Sequence, residues 1–238
     1  MQFGYAPELL ERCPELVAGV IWIEGVRNRR TTPEIDEILT ESERLTHKRF
    51  AALPEIARSE SIGAWRQIYS RFGVKPNRYP CAAEALIRRV VETGSLPRIS
   101  ALVDLCTATS LRHSIPVAPF DLANVTGDIS VRIATGSERF LPIGATTYDV
   151  IPEGEVVYAD ASPELLSRRW NWRQSDKGKI ELTTTRALLT TEAVHAGGRA
   201  PVLAVLQDIS EQIVGLLGGT AQTAILDAGN PATERLVQ

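Results

Sequence analysis

The chain has 238 residues, 44% hydrophobic and 23% charged, with a formal charge of −3, so it can bury a substantial core in one domain or in a domain with an appendage. Its slight acidity argues against blanket phosphate neutralisation as the source of affinity, because that mechanism needs an excess of Lys and Arg; no DNA partner is expected. Three widely spaced cysteines, an acidic start and a longest apolar run of only Val17 to Ile23 point away from disulfide or zinc frameworks, secretion signals and membrane spans, and toward a soluble cytoplasmic protein without a cofactor or metal.

In chain order, Val20 to Ile23 predict a buried strand closed by Gly25. Thr31-Thr32-Pro33-Glu34 has the spacing of a capping box and predicts a helix reaching toward Phe50 with a largely exposed, charged surface. Ile62, Trp65, Ile68, Tyr69 and Phe72 form the apolar stripe of a helix that starts at Ser59 and stops at Gly73. Pro80 to Thr93 predicts a further helix ended by Gly94, and Ser100 to His113 another.

After Asp121 the pattern changes to short strands. Ile129, Val131 and Ile133 alternate with polar residues, and residues 155–159 read as a buried strand. The stretch 168–179, RRWNWRQSDKGK, has two readings. An aromatic and basic alternation could stack nucleic-acid bases; as a strand, its period of two puts Trp170 and Trp172 on one buried face and Arg169, Asn171 and Arg173 on the other. The strand reading is preferred, with Asp176-Lys177-Gly178 as a turn and Ile180 to Thr185 as the returning partner. Pro201 opens a helix with an apolar stripe from Val202 to Leu217, and a loose tail is expected from Thr220. Helices followed by strands and a closing helix make the class α+β.

No GxSxG elbow, HExxH pair, Walker loop or GxGxxG turn is present. His113 lies near Ser110, Ser114 and Asp121 in sequence, but a triad needs orientation in space. Residues 103–121, VDLCTATSLRHSIPVAPFD, carry a stronger signal. They resemble, without a gap, the V-D-x-T-N to Q-P-M-H-A-F-D segment of the B3/B4 domain of the phenylalanyl-tRNA synthetase β subunit. GDISVRIATGSERFLPIG and VVYAD are similar to the strands that follow in that family, and RRWNWR fits its standalone branch.

The resemblance implies a B3/B4-like domain over 75–218, with a β-sandwich-like, strand-rich half packed with helices. Residues 1–74 would form a strand and helical region packed on it, and 219–238 a C-terminal tail. It also implies binding of tRNA or aminoacyl-tRNA and hydrolysis of a misacylated ester, as the synthetase domain does for tyrosine. At the family's Thr-Asn pair this chain has Cys106 and Thr107, and at its His it has Ala118. Thr107 would then position water, with Cys106, Pro116, Ala118, Asn171, Arg173 and Thr185 around the pocket. Thr183 to Thr185 lie near the place of a substrate-recognising glutamate, and neutral hydroxyls there would suit a smaller or less polar side chain than tyrosine. The local basic excess between Glu164 and Arg199 assigns Arg168, Arg169, Lys177 and Lys179 to RNA. Two other classes stay open: a module that binds tRNA, an amino acid or a derivative without chemistry, and an unrelated hydrolase sharing the fold.

Overall fold

A computed structural model of the protein describes residues 1–235. In chain order the elements are β1 (Gln2–Tyr5), α1 (Pro7–Arg12), β2 (Val17–Glu24), α2 (Pro33–Arg49), α3 (Leu53–Arg58), α4 (Glu60–Arg71), α5 (Ala82–Thr93), α6 (Ala101–His113) and β3 (Val117–Asp121). They continue with β4 (Ile129–Ile133), β5 (Arg139–Phe140), β6 (Asp149–Val150), β7 (Val156–Ala159), β8 (Ser167–Arg168), β9 (Arg173–Gln174), β10 (Arg186–Ala193), α7 (Arg199–Leu217), β11 (Thr220–Leu226) and β12 (Ala232–Glu234).

Two sheets face each other across one core. The first runs β11-β2-β10-β3 and is antiparallel throughout; the second runs β12-β1-β4-β7-β8-β9, with β1 parallel to β4. The strand period of two sorts the first sheet's side chains. Val20, Trp22, Leu188 and Phe120 enter the core shared with Phe3, Val131 and Tyr158 of the second sheet. Ile21, Ile23, Ala187 and Leu189 enter a separate core against α6 and α7. The class is therefore α+β, as the pattern of elements predicts, with the sandwich-like half that the family resemblance implies.

α7 is long and apolar enough to cross a membrane by length and composition alone. Here its stripe, Val202, Val205, Leu206, Ile209, Ile213 and Leu217, is buried against the first sheet. The approach is close at Gly19, where a Cβ would stand 2.8 Å from Leu206 Cδ2 and Thr191 Cγ2. Only a residue without a side chain lets helix and sheet meet there.

Four local expectations are corrected. The N-cap of α2 is Thr32, whose Oγ1 accepts from Ile35 N, while Thr31 Oγ1 instead donates to Asp104 Oδ2. α2 also buries Ile35, Leu39, Ser42, Glu43 and Thr46, so it has a buried face where a largely exposed surface is expected. Ile180 to Thr185 is not a strand, and the partner of β8 is β9. The loose tail is replaced by β11, paired with β2 over seven residues, and by β12, paired with β1. Pairing across sequence distances of about 200 residues overrode the local signal, because the edge of β2 needs hydrogen-bond partners. Residues 236–238 of the expected tail lie outside the described residues.

Candidate functional site

The β8–β9 hairpin differs most from the sequence reading. Trp170 and Trp172 lie not in a strand but in the four-residue turn 169–172. Arg169 and Trp170 are left-handed, with φ of 45° and 62°, a conformation that costs an L-residue about 1–2 kcal/mol. Hydrogen bonds from outside the turn hold it. Trp170 N donates to Val156 O at 2.7 Å, Arg169 N to Glu155 Oε1 at 3.0 Å, and Tyr69 Oη to Arg169 O at 2.9 Å. The left-handed steps break the period of two, so the tryptophans part company. Trp170 is fully buried, edge to face on Trp65 at 5.2 Å and on Phe72 at 5.7 Å. Trp172 is half-buried, and Asn171 is buried where exposure on the opposite face is expected.

Asn171 joins a polar knot in the core between the sheets. Glu192 of β10 accepts at Oε1 from Tyr5 Oη (2.7 Å), Tyr158 Oη (2.7 Å) and Trp170 Nε1 (2.8 Å), and at Oε2 from Asn171 Nδ2 (3.2 Å). Burial pushes the Glu192 carboxyl up from its ordinary value, and the four donors pull against that. Asn171 Oδ1 accepts from Ala82 N at 3.3 Å and lies 2.9 Å from Tyr69 Oη, whose single proton it shares with Arg169 O. The amide is thereby fixed in one orientation.

In front of this knot lies a cavity of about 190 Å³. α6 contributes Val103, Cys106 and Thr107, three and four residues apart and so on one helix face. The edge strand β3 contributes Val117 to Phe120, the hairpin region Ser167, Asn171, Trp172 and Gln174, and β7 and α5 add Tyr158 and Ala82. The wall is mostly apolar. Burial pushes the Cys106 thiol and the Tyr158 phenol up, so neither offers an anionic nucleophile near neutral pH. Thr107 is half-buried and its hydroxyl has no hydrogen-bond partner among the described residues. Gln174 Nε2 donates to Pro119 O (2.6 Å) and Gly178 O (2.7 Å), which locks the side chain between β3 and the hairpin.

Of the residues expected around a pocket, the fold brings Thr107, Cys106, Ala118 and Asn171 to this cavity. Pro116 is buried just ahead of β3 and outside the lining. Thr185 is exposed and away from it, while Thr184 donates to Asp121 Oδ2. Arg173 is exposed beside Trp172, outside the lining. Sequence reasoning missed Gln174, Tyr158 and Glu192. A single carboxylate at an inward-facing position of the apolar strand ALLTTEAV was the available signal for Glu192.

The basic residues assigned to RNA are largely engaged. Arg168 is buried, with Nε and Nη2 on Glu155 at 2.9 and 3.0 Å and Nη1 on Asp149 at 2.9 Å. Lys177 Nζ lies 2.6 Å from Asp160 Oδ2, and Lys179 pairs with Asp176 (2.9 Å) and Glu181 (3.3 Å). Arg169 is 3.7 Å from Glu155. Nor do His113, Ser110, Ser114 and Asp121 assemble: His113 Nε2 pairs with Asp208 at 2.9 Å, Ser110 donates to Ile115 O and Ser114 accepts from Arg49.

Residues 64–205 match the family model of the B3/4 domain. The chain is 29% identical to the phenylalanine–tRNA ligase β subunit of Cereibacter sphaeroides over an alignment of 185 residues, covering 68% of this chain and 22% of that protein. It is 37% identical to the corresponding subunit of Chromobacterium violaceum over 79 residues, covering 33% of this chain and 10% of that one. Among solved structures, an N-terminal fragment of the phenylalanyl-tRNA synthetase β subunit from Pyrococcus horikoshii aligns with a TM-score of 0.47 and 12% identity, over 92% of this chain and 49% of that one. The chain thus spans about a fifth or less of the length of the curated relatives it matches.

Proposed function

The chain belongs to the B3/4 domain family, and from that premise we propose that it binds the 3′ end of an aminoacyl-tRNA and hydrolyses the ester of a wrongly attached amino acid. The observation that carries this reading is the Thr107 hydroxyl, without a partner among the described residues, at a cavity whose Asn171 and Gln174 amides are held by hydrogen bonds to the protein. In this mechanism Thr107 holds a water against the ester carbonyl. The water oxygen bonds to the carbonyl carbon, the bond to the ribose oxygen breaks, and the water's proton passes to that oxygen. The products are free amino acid and uncharged tRNA. Positioning supplies the acceleration, since the ester is labile and the neighbouring ribose hydroxyl can share in orienting the water.

The cavity also limits the substrate. Its volume lies below the roughly 300–1,000 Å³ of common ligand pockets, and among the described residues no charged side chain lines it. A charged amino-acid side chain would be desolvated without a partner, so a neutral one of modest size is favoured. A second reading, binding without chemistry, is favoured by the absence of His, Lys and carboxylate from the lining.

A panel of tRNAs charged with different amino acids separates the two. Hydrolysis of at least one ester is expected, and Thr107→Val should lower its rate by about tenfold to a thousandfold while leaving affinity near wild type. Among the described residues the lining holds no His, Lys or carboxylate, so the pH profile of kcat/KM between about pH 6 and about pH 9 should lack the bell that an enzyme acid and base pair produces. Intact folding with inactivity toward every charged tRNA would sink the hydrolase, and saturable binding in the same assay would then support the second reading.

A further inference from the structure

The cavity mouth carries a cluster to which neither the proposed chemistry nor the core assigns a task. Trp172, part of the cavity wall, meets Tyr79 edge to face at 4.9 Å between ring centroids. The Arg169 guanidinium lies over both rings, 4.0 Å from Tyr79 and 4.8 Å from Trp172. Arg78 flanks Tyr79 at 5.2 Å, and Arg173 flanks Trp172 at 5.7 Å. Arg78 and Arg173 are exposed, and among the described residues neither has a carboxylate within 4.0 Å. Arg168, Lys177 and Lys179 are all paired, whereas Arg78 and Arg173 carry free guanidiniums beside Tyr79 and Trp172.

We propose that Arg78, Tyr79, Arg169, Trp172 and Arg173 form a stacking ladder that takes the unpaired bases at the 3′ end of an RNA. The proposal rests on the reading that an aminoacyl-tRNA is the substrate. Guanidinium planes and aromatic rings stack on bases whose faces are free, and a duplex hides those faces. Position decides which bases these are. If the aminoacyl group fills the cavity, the nucleotides joined to it lie at the mouth, beside Trp172. The two unpaired guanidiniums are then placed for the phosphates between those bases, and the left-handed turn at Arg169 and Trp170 sends one tryptophan into the core and leaves the other at the rim.

Three uncharged probes test the ladder by fluorescence anisotropy: an intact tRNA, the same tRNA lacking its last three nucleotides, and a short single-stranded RNA with that 3′ sequence. Wild type should prefer the intact tRNA by about tenfold or more. The Arg78→Ala, Arg173→Ala double variant changes only exposed side chains, so its fold is expected to persist. It should lose that preference, with a salt dependence shallower by about 1.4 for two single-strand phosphate contacts. Trp172→Phe should keep most of the preference and Trp172→Leu should lose it. Equal affinity of wild type for intact and shortened tRNA, or unchanged preference in the double variant, overturns the ladder. A double variant that binds like wild type while wild type deacylates a charged tRNA overturns the ladder alone. A wild type that prefers the intact end but hydrolyses no ester supports the ladder and overturns only the hydrolysis.

Discussion

At the scale of single residues, two buried carboxylates are stabilised in opposite ways. Glu192 has four neutral donors and no cation among its hydrogen-bond partners, and burial dominates, so its carboxyl is pushed up. Glu138 is also pushed up by burial, but the Arg132 guanidinium and the Thr135 backbone N–H outweigh that and hold it down at about 2, against an ordinary 4.5. Its oxygens also accept from Gly136 N at 3.0 Å, so the carboxylate closes the turn after β4. A depressed carboxyl stabilises the fold above its unfolded value, and that contribution is lost as protonation proceeds below it. Glu138→Gln should therefore lower stability near neutral pH, and the gap to wild type should close as pH falls from 4.5 through about 2. Urea melts across that range measure it; a gap independent of pH would contradict the assignment.

At the scale of elements, one close approach shapes the site and another seats the closing helix. The hairpin turn is locked to the start of β7, which lets Asn171 bridge Glu192, Tyr69 and the start of α5 while its neighbour Trp172 walls the cavity. The helix α7 is seated on β2 through Gly19. Gly19→Ala would force Leu206 and Thr191 aside and should cost about 1–3 kcal/mol, as overpacking does. A thermal midpoint unchanged from wild type would show that Leu206 yields freely. The cavity lies beyond β10 from this contact, so the hydrolysis proposed for the cavity should survive the substitution in the folded fraction.

At the scale of the whole molecule, the family segment does not contain the whole sheet. Residues 64–205 include β10 and β3 but not β2 or β11, and they end early in α7. β2 is central in the first sheet, paired with β10 on one side and β11 on the other. A fragment of 64–205 would expose the edge of β10 and the apolar faces of Leu188 and Leu189, an invitation to aggregate. We expect the isolated fragment to be insoluble or molten by near-ultraviolet circular dichroism, and the full chain to melt cooperatively. A well-folded fragment would mean that β2 and β11 only cover a core complete without them.

Much of this was legible in the sequence. The stripes of α4 and α7 and the glycine stops at Gly73 and Gly94 follow from periodicity over short distances, and the family resemblance of residues 103–121 is what placed Cys106, Thr107 and Ala118 around one pocket, where they line the cavity. Contacts between remote segments were not legible. The charge count around RRWNWR omitted Glu155, Asp149 and Asp160, which pair with Arg168 and Lys177 from β6 and from the two ends of β7. The alternation of Trp170 and Trp172 implied a strand, yet hydrogen bonds from Val156, Glu155 and Tyr69 bend it into a left-handed turn and send the two rings apart. Local pattern determined α2, α4, α5, α6 and α7, because an apolar stripe and its caps depend on neighbours three or four residues away, while α1, α3 and the β3 wall of the cavity carried no local pattern of that kind. The tertiary structure alone decided which arginines stay free and which tryptophan reaches the rim, because pairing and burial are settled by residues far off in the chain.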